Sequence, residues 1–429
     1  MRRFSIARIL STLCAAAIFG WASLAYCAGI LLYETGAPDL GTASVGRAAT
    51  AADASTAAAN PAGMTLLDRT QLMVTGGAIV PVTNFERGGQ TSVPGGGSGG
   101  GNAGVALPMG GFFYVYRLTD RMRLGFAAYS NFGLAADYGT QWVGRYYVTR
   151  TSLLTGQFNP SIAYRINEWL SMGAGFSFEI GRLTDEAKIN NALPNIPDGG
   201  LSLESWDEAF GGNVGFLIEP ISKLRLGLTY TSPYDFKFGF RPHFGGLGPG
   251  LQAALAHSGL LNSKINMSMT EPQQMMAGLI YDLTRDLALM VDLGWQNWSA
   301  FGQIPIGISA STQKSLTANL NFSDTVHTGI AAQYRILERW LWSAGFSYDS
   351  SPVSAANRFP SLPLDRNLRL ASGIQYTVNK DVTVGAAYEY VNAGNAPLSV
   401  SRGPLAGTVQ GDYSANFLNF IGANLNWKF

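Results

Sequence analysis

SMGAGFSFEIGR, residues 171–182, alternates with a period of two. Met172, Ala174, Phe176, Phe178 and Ile180 form an apolar set, and Ser171, Gly173, Gly175, Ser177 and Glu179 form a small or polar set. Successive side chains of an extended strand point to opposite faces, so this stretch makes a strand with one apolar and one polar face. The same pattern recurs three times. Leu287, Leu289, Val291, Leu293 and Trp295 oppose Asp292 and Gln296, and Trp340, Trp342, Ala344, Phe346 and Tyr348 oppose Ser343, Gly345, Ser347 and Asp349. Val382, Val384, Ala386, Tyr388 and Tyr390 oppose Thr383, Gly385 and Glu389.

A soluble β-sandwich alternates in the same way, so the rhythm of the turns decides between the two. Tight polar turns are predicted at Thr119-Asp120, Asn167-Glu168, Ile221-Ser222, Thr284-Arg285, Glu338-Arg339 and Asn379-Lys380. Between them lie long connections rich in Gly, Pro, Ser and Asn: residues 87–106, 137–145, 186–201, 242–262, 307–318, 351–364 and 394–411. Short turns on one rim and long loops on the other mark a transmembrane antiparallel β-barrel, here of about 14 strands. The last strand alternates Ile421, Ala423, Leu425, Trp427 and Phe429 up to a terminal aromatic. Trp427 and Phe429 are thus candidates for the signal that the outer-membrane barrel assembly machinery reads.

Residues 1–27 read as a signal peptide, with Arg2, Arg3 and Arg8 ahead of an apolar stretch, 9–25, and small residues after it. Cleavage is expected after Cys27, with Ala25 as the alternative. A lipid anchor on Cys27 is disfavoured by the bulky Tyr26. Cys14 and Cys27 are the only cysteines, so the exported chain is expected to hold no disulfide and no thiolate metal site. A net charge of +1 with 13% charged residues offers no basic surface for nucleic acid. After residue 28 there is no apolar run of about 18 residues, the length a membrane-spanning helix needs. Together these features place the chain in the outer membrane of a Gram-negative cell.

Residues 28–69 precede the barrel, residues 70–429, and alternate little. Gly36, Gly41 and Gly46 punctuate this segment, and DASTAAANPAGM (53–64) reads as a short helix that stops at Asn60-Pro61. A barrel of about 14 strands is wide enough to need filling if it is not to be an open pore. A chain of small residues packs into such a lumen, so the segment is read as an N-terminal hatch.

The segment LGTASVGRAATAADASTAAANPAGMTLLDR (40–69) resembles the hatch of the FadL/OmpP1/toluene-transporter family of outer-membrane proteins. NPSIAYRINEWLSMGAGFSF (159–178), EPQQMMAGLIYDLTRDLALMVDLGWQNWSAF (271–301) and SDTVHTGIAAQYRILERWLWSAGFSYDSSPV (323–353) resemble it too, in the same order. The resemblance implies passive uptake of hydrophobic compounds, either long-chain fatty acids or aromatic hydrocarbons. Outer loops would capture the molecule, and it would leave sideways into outer-membrane lipid through a gap beside the third strand. It also implies an Asn-Pro-Ala element in the hatch, here Asn60, Pro61 and Ala62, and a kink within AYSNFGLAADYG, near Asn131, Phe132 and Gly133. Leu247, Leu251 and Leu255, on a short amphipathic helix predicted in the 242–262 loop, are the candidate capture residues. Arg145, Arg150 and Arg182 are candidates for binding a carboxylate, and the family precedent is a monomer. The run VPGGGSGGGNAGVALP (93–108) matches nothing functional and reads as a flexible tether.

Other chemistry is not signalled. His243, His257 and His327 share no ligand spacing, so no metal or cofactor is expected. GGGSGGG lacks the Lys-Ser/Thr of a phosphate loop, and no Gly-x-Ser-x-Gly elbow is present. The alternative readings are a general porin or adhesin barrel without specific uptake, and, behind these, a barrel enzyme.

Overall fold

The computed structural model describes residues 32–429 apart from 36–37, 194 and 311–312. The expected signal peptide and residues 28–31 of the expected hatch lie outside the described residues. A 17-stranded antiparallel sheet makes the wall. Within it Gly133–Asp137 continues Met122–Tyr129, while His243–Gly245 and Leu398–Ser401 are short outer additions, which leaves fourteen strands that cross the membrane. The sheet closes because the first strand, Gln71–Arg87, pairs along its whole length with the last, Thr408–Lys428. Closure gives every wall strand two neighbours, the condition for crossing a bilayer with strands.

Tight connections fall at residues 118–121, 166–169, 222–223, 283–286, 338–339 and 378–381, where the sequence predicts them. Their polar residues hold them. Asn167 Oδ1 accepts from the Trp169 and Leu170 amides at 3.0 and 2.8 Å, and Asn379 Oδ1 accepts from Asp381 and Val382 at 2.8 and 2.9 Å. The alternation also falls as predicted: Met172, Phe176 and Ile180 face outward, while Ser171, Ser177 and Glu179 face the lumen. Trp427 and Phe429 are outward too, near the closing seam, where Phe429 stacks on Tyr114 with centroids 6.4 Å apart.

Two outer regions differ from expectation. The seventh strand, Leu224–Thr231, and the eighth, Gln274–Asp282, bend at Pro233 and Pro272. They continue in unbroken register as Tyr234–Phe240 and Lys264–Glu271. Proline lacks the N–H that a wall ladder requires, so the bend falls there. With Gln303–Ser309 and Gln313–Asn319, these extensions make a separate four-stranded sheet. Residues 307–318, expected as a connection, lie largely in its last two strands. The glycine-rich run is not a tether. Val143 N donates to Ser98 O at 2.7 Å, Asp137 N donates to Ala103 O at 2.8 Å, and a Cβ on Gly97 would lie 2.7 Å from the Val143 backbone. Glycine is needed there for close approach between two backbones.

Residues 38–66 lie against the inner faces of opposite walls. The Pro38–Thr42 turn packs on Trp340–Asp349, Asn367–Thr377 and Val382–Asn392. The Pro61–Leu66 turn packs on Arg150–Arg165, Leu170–Ile189 and Gly199–Ile221. Between them Thr56–Ala59 is the short helix expected before Asn60-Pro61.

Candidate transport path

Asn60 is 1% exposed and uses its whole side chain. Oδ1 accepts from Ala62 N at 3.0 Å and so caps the following turn, while Nδ2 donates to Ala48 O at 2.6 Å and to Phe216 O on the wall at 3.1 Å. Pro61 and Ala62 press against Gly173, where an added Cβ would lie 2.5 Å from Ala62 N. Replacing Asn60 with alanine takes a donor from one buried and one half-buried carbonyl and removes the cap, a loss of about 2–4 kcal/mol in seating. Hydrogen exchange at residues 53–69 should then speed up by roughly tenfold or more. Unchanged exchange there would show that Asn60 does not hold the segment.

The third strand breaks where Asn131, Phe132 and Gly133 lie. Tyr129 pairs with Gln157, and Gly133 pairs with Leu154, so residues 130–132 face only residues 155–156. This is a bulge, one extra residue that bends the strand. On the other side the ladder to the second strand, Leu107–Arg117, begins at Gly111, while Leu107, Pro108, Met109 and Gly110 pair with the first strand. The wall is therefore incomplete between residues 107–110 and 130–133. Two contacts fix the bulge: Thr155 Oγ1 donates to Phe132 O and Leu32 N donates to Asn131 O, both at 2.7 Å. Gly133 itself has an ordinary extended backbone, and its Cβ would be only moderately crowded, 3.1 Å from Leu153 O. The extra residue, not glycine's freedom, makes the kink.

Phe132 is fully buried, its ring 6.2 Å from Trp298 and 6.0 Å from Phe301. It belongs to one apolar cluster with Phe236, Phe238, Phe240, Met267 and Tyr33, against which Leu247 and Leu251 pack. Leu247 lies two residues before the Pro249–His257 helix, which carries Leu251 and Leu255. Leu255 is 3% exposed, so it is packed beneath the helix rather than presented outward.

The sequence did not signal the next element. Residues 32–35 cross the lumen from the kink to the far wall. Tyr33 bonds through its hydroxyl to Gln296 Nε2, stands edge-on to His327 at 5.2 Å, and lies under the Arg369 guanidinium at 5.2 Å. Glu34 accepts from Arg369 Nε at 2.9 Å; Arg369 also pairs with Asp349, which holds His327 Nδ1 at 2.9 Å. Gln296 in turn accepts from Trp298 Nε1 at 2.7 Å. The strap is thus tied both to the kink and to the aromatic group that packs on Phe132. A small cavity of ≈ 40 Å³ adjoins it, lined by Leu32, Tyr33, Tyr129, Asn131, Gln157 and Tyr234 among others.

None of the three candidate arginines faces this cavity. Arg145 is buried in the outer loops, bonded to Asp198 at 2.9 Å and to the Pro94 carbonyl at 2.8 Å. Beside it, burial pushes the Tyr146 hydroxyl up to about 12, and that hydroxyl donates to Asp198 at 2.8 Å. Arg150 is exposed at the outer end of the fourth strand. Arg182 pairs with Glu204 at 2.8 Å on the outer wall and lies over Trp206.

A closed barrel of fourteen strands, apolar outside and polar within, is an outer-membrane β-barrel. The family described as outer membrane protein transport protein (OMPP1/FadL/TodX) matches residues 18–429, and the chain belongs to it. This is a family of outer-membrane transport channels rather than of enzymes. The long-chain fatty acid transport protein of Escherichia coli O6:H1 is 26% identical over 431 residues, spanning 94% of this chain and 95% of that protein. A Pseudomonas aeruginosa FadL homologue superposes with a TM-score of 0.82 at 19% identity, over 94% of this chain and 100% of that one. The Ralstonia pickettii toluene transporter TbuX gives 0.61 at 17% identity, over 88% and 94% respectively, so these two likenesses are of fold.

Proposed function

We propose that the protein takes up hydrophobic molecules passively, captures them at its outer loops and releases them sideways into the bilayer beside the third strand. The observation that carries this reading is the single apolar cluster that joins Leu247 and Leu251 at the mouth to Phe132 at the kink. An apolar solute is stabilised at each point along it and gains again by entering lipid rather than water. In this reading residues 28–69 are the hatch: seated by Asn60, Pro61 and Ala62, they block the axial route, and the incomplete wall at residues 130–133 is the exit. The substrate class follows the relatives, a long-chain fatty acid or a monoaromatic such as toluene.

The test is uptake of labelled oleate and labelled toluene by cells with and without the protein. The expected result is a saturable increase for at least one of them. No increase for either, with a properly assembled barrel, would overturn the reading, and passage of sucrose instead would make the protein a general porin.

A further inference from the structure

Between the ninth strand, Leu287–Gln296, and the thirteenth, Val382–Asn392, the lipid-facing surface is hollowed. Leu289, Ala332, Ala344, Ser372 and Tyr388 stand directly across from one another, one per strand, and make a row on the outward face. The middle three are small. The rows on either side are not: Ile330, Phe346 and Leu370 lie above, Tyr334, Trp342 and Ile374 below, and all six are exposed. The small residues are thus the floor of a trough of ≈ 790 Å³ that crosses the strands from Leu289 to Tyr388. The hydroxyl on its floor is satisfied within the wall: Ser372 Oγ accepts from Trp342 Nε1 at 2.9 Å and donates to Ser343 O at 3.1 Å. At the end of the row the Tyr388 hydroxyl donates to Asn419 Oδ1 at 2.7 Å.

We propose that this trough seats one acyl chain of a phospholipid from the periplasmic leaflet. A chain in a bilayer meets hydrocarbon wherever it lies, so the gain here is close packing rather than transfer from water. An unfilled trough forfeits the dispersion contacts of its two banks, and water gains nothing there because the polar side chain on the floor already has its partners. The occupant is therefore hydrocarbon, continuous with the lipid that covers the rest of the outer face. Its length follows from the wall. Neighbouring strands lie about 4.8 Å apart, so the four intervals from Leu289 to Tyr388 span about 19 Å. Carbon–carbon bonds of about 1.5 Å at near-tetrahedral angles advance about 1.25 Å each, so a chain of about 16 carbons fills that span. Height selects the leaflet, since tight turns mark the periplasmic rim. Leu289 lies three residues above the 283–286 turn and Tyr388 seven above the 378–381 turn, so the trough climbs from the phospholipid side toward the middle of the bilayer.

The test is native mass spectrometry of the full-length barrel extracted from outer membranes in mild detergent. A single phospholipid should stay bound after the other lipids have been washed away. The double variant Ala332→Phe, Ala344→Phe fills the floor with side chains that suit a lipid-facing wall, and its retention should fall by roughly tenfold or more. Ala174→Phe, outward on the fifth strand, is the control and should retain the lipid as the native barrel does. Heat-modifiable migration on gels reports that each variant is assembled. Offered phosphatidylethanolamines with lauroyl, palmitoyl or arachidoyl chains in detergent micelles, the native barrel should keep the palmitoyl lipid about threefold or more over either other. No retained phospholipid, equal retention by the double variant, or indifference to chain length would each overturn the seat. So would lipid A in place of phospholipid, or a dimer of this chain that the double variant breaks. The seat needs only the assembled barrel, so uptake stands or falls separately.

Discussion

Replacing Gly227 and Gly345 with valine should turn a closed barrel into a water-filled pore. Both glycines face the lumen, where residues of the N-terminal segment come within backbone contact. A Cβ on Gly227 would lie 1.8 Å from the Ala48 carbonyl oxygen, and one on Gly345 would lie 1.9 Å from the Thr42 carbonyl oxygen. Neither neighbour is a flexible side-chain end that swings away. Backbone must move, and the two sites sit on separate wall strands, the seventh and the eleventh. Valine at both therefore unseats the segment at two separate points, while the lipid-facing ladder is left intact. Single-channel conductance in planar bilayers and sucrose permeation in vesicles should each rise by about tenfold or more, since an unfilled barrel of this width holds an aqueous channel. Gly76→Val is the control, because Gly76 points outward with no atom within 4 Å of the added Cβ. Unchanged conductance in the double variant, with the barrel assembled, would show that residues 38–66 are not what closes the lumen.

The second large effect concerns the proposed exit. Three residues, 130–132, stand opposite two, 155–156, so deleting Ser130 makes the numbers equal. Tyr129 and its neighbours keep their pairing with the fourth strand, and Gly133 falls into continuous register with Leu154. The third strand would then run unbroken to Asp137, and its free edge would reach the second-strand residues 107–110. Because each residue added to a ladder closes further hydrogen bonds, the variant should be no less stable than the parent. Uptake of the hydrophobic substrate should fall by roughly tenfold or more, while binding at the outer cluster persists. Undiminished uptake by the assembled variant would exclude the gap as the route.

Much of this architecture was legible in the chain. The outward and inward sets, the six tight turns, the closing strand and the helix ending at Asn60-Pro61 each rest on neighbours within a few residues. The placement of Asn131, Phe132 and Gly133 at the break came from the family resemblance, and glycine did not explain it. Leu255 was read as presented and is buried, because a short helix turns apolar residues to whichever side another element covers. The glycine-rich run was read as loose, yet it threads between Val143 and Thr83, contacts that its own composition does not encode.

By itself the sequence determined a membrane barrel, its strand number, its rims and which face of each strand meets lipid, because strand period and turn chemistry are local properties of a chain. Only the tertiary structure decided what meets inside. Glu34 and Arg369 are 335 positions apart, and Asn60 and Phe216 are 156 apart. The bulge at residues 130–132 exists only relative to the residues counted on the neighbouring strand. The bends at Pro233 and Pro272 become a cap only because two strands bend at the same level of one ladder. Alternation assigns a side chain to the lumen, but its partner there is set by closure of the barrel, which brings distant strands and the N-terminal segment into one enclosed volume.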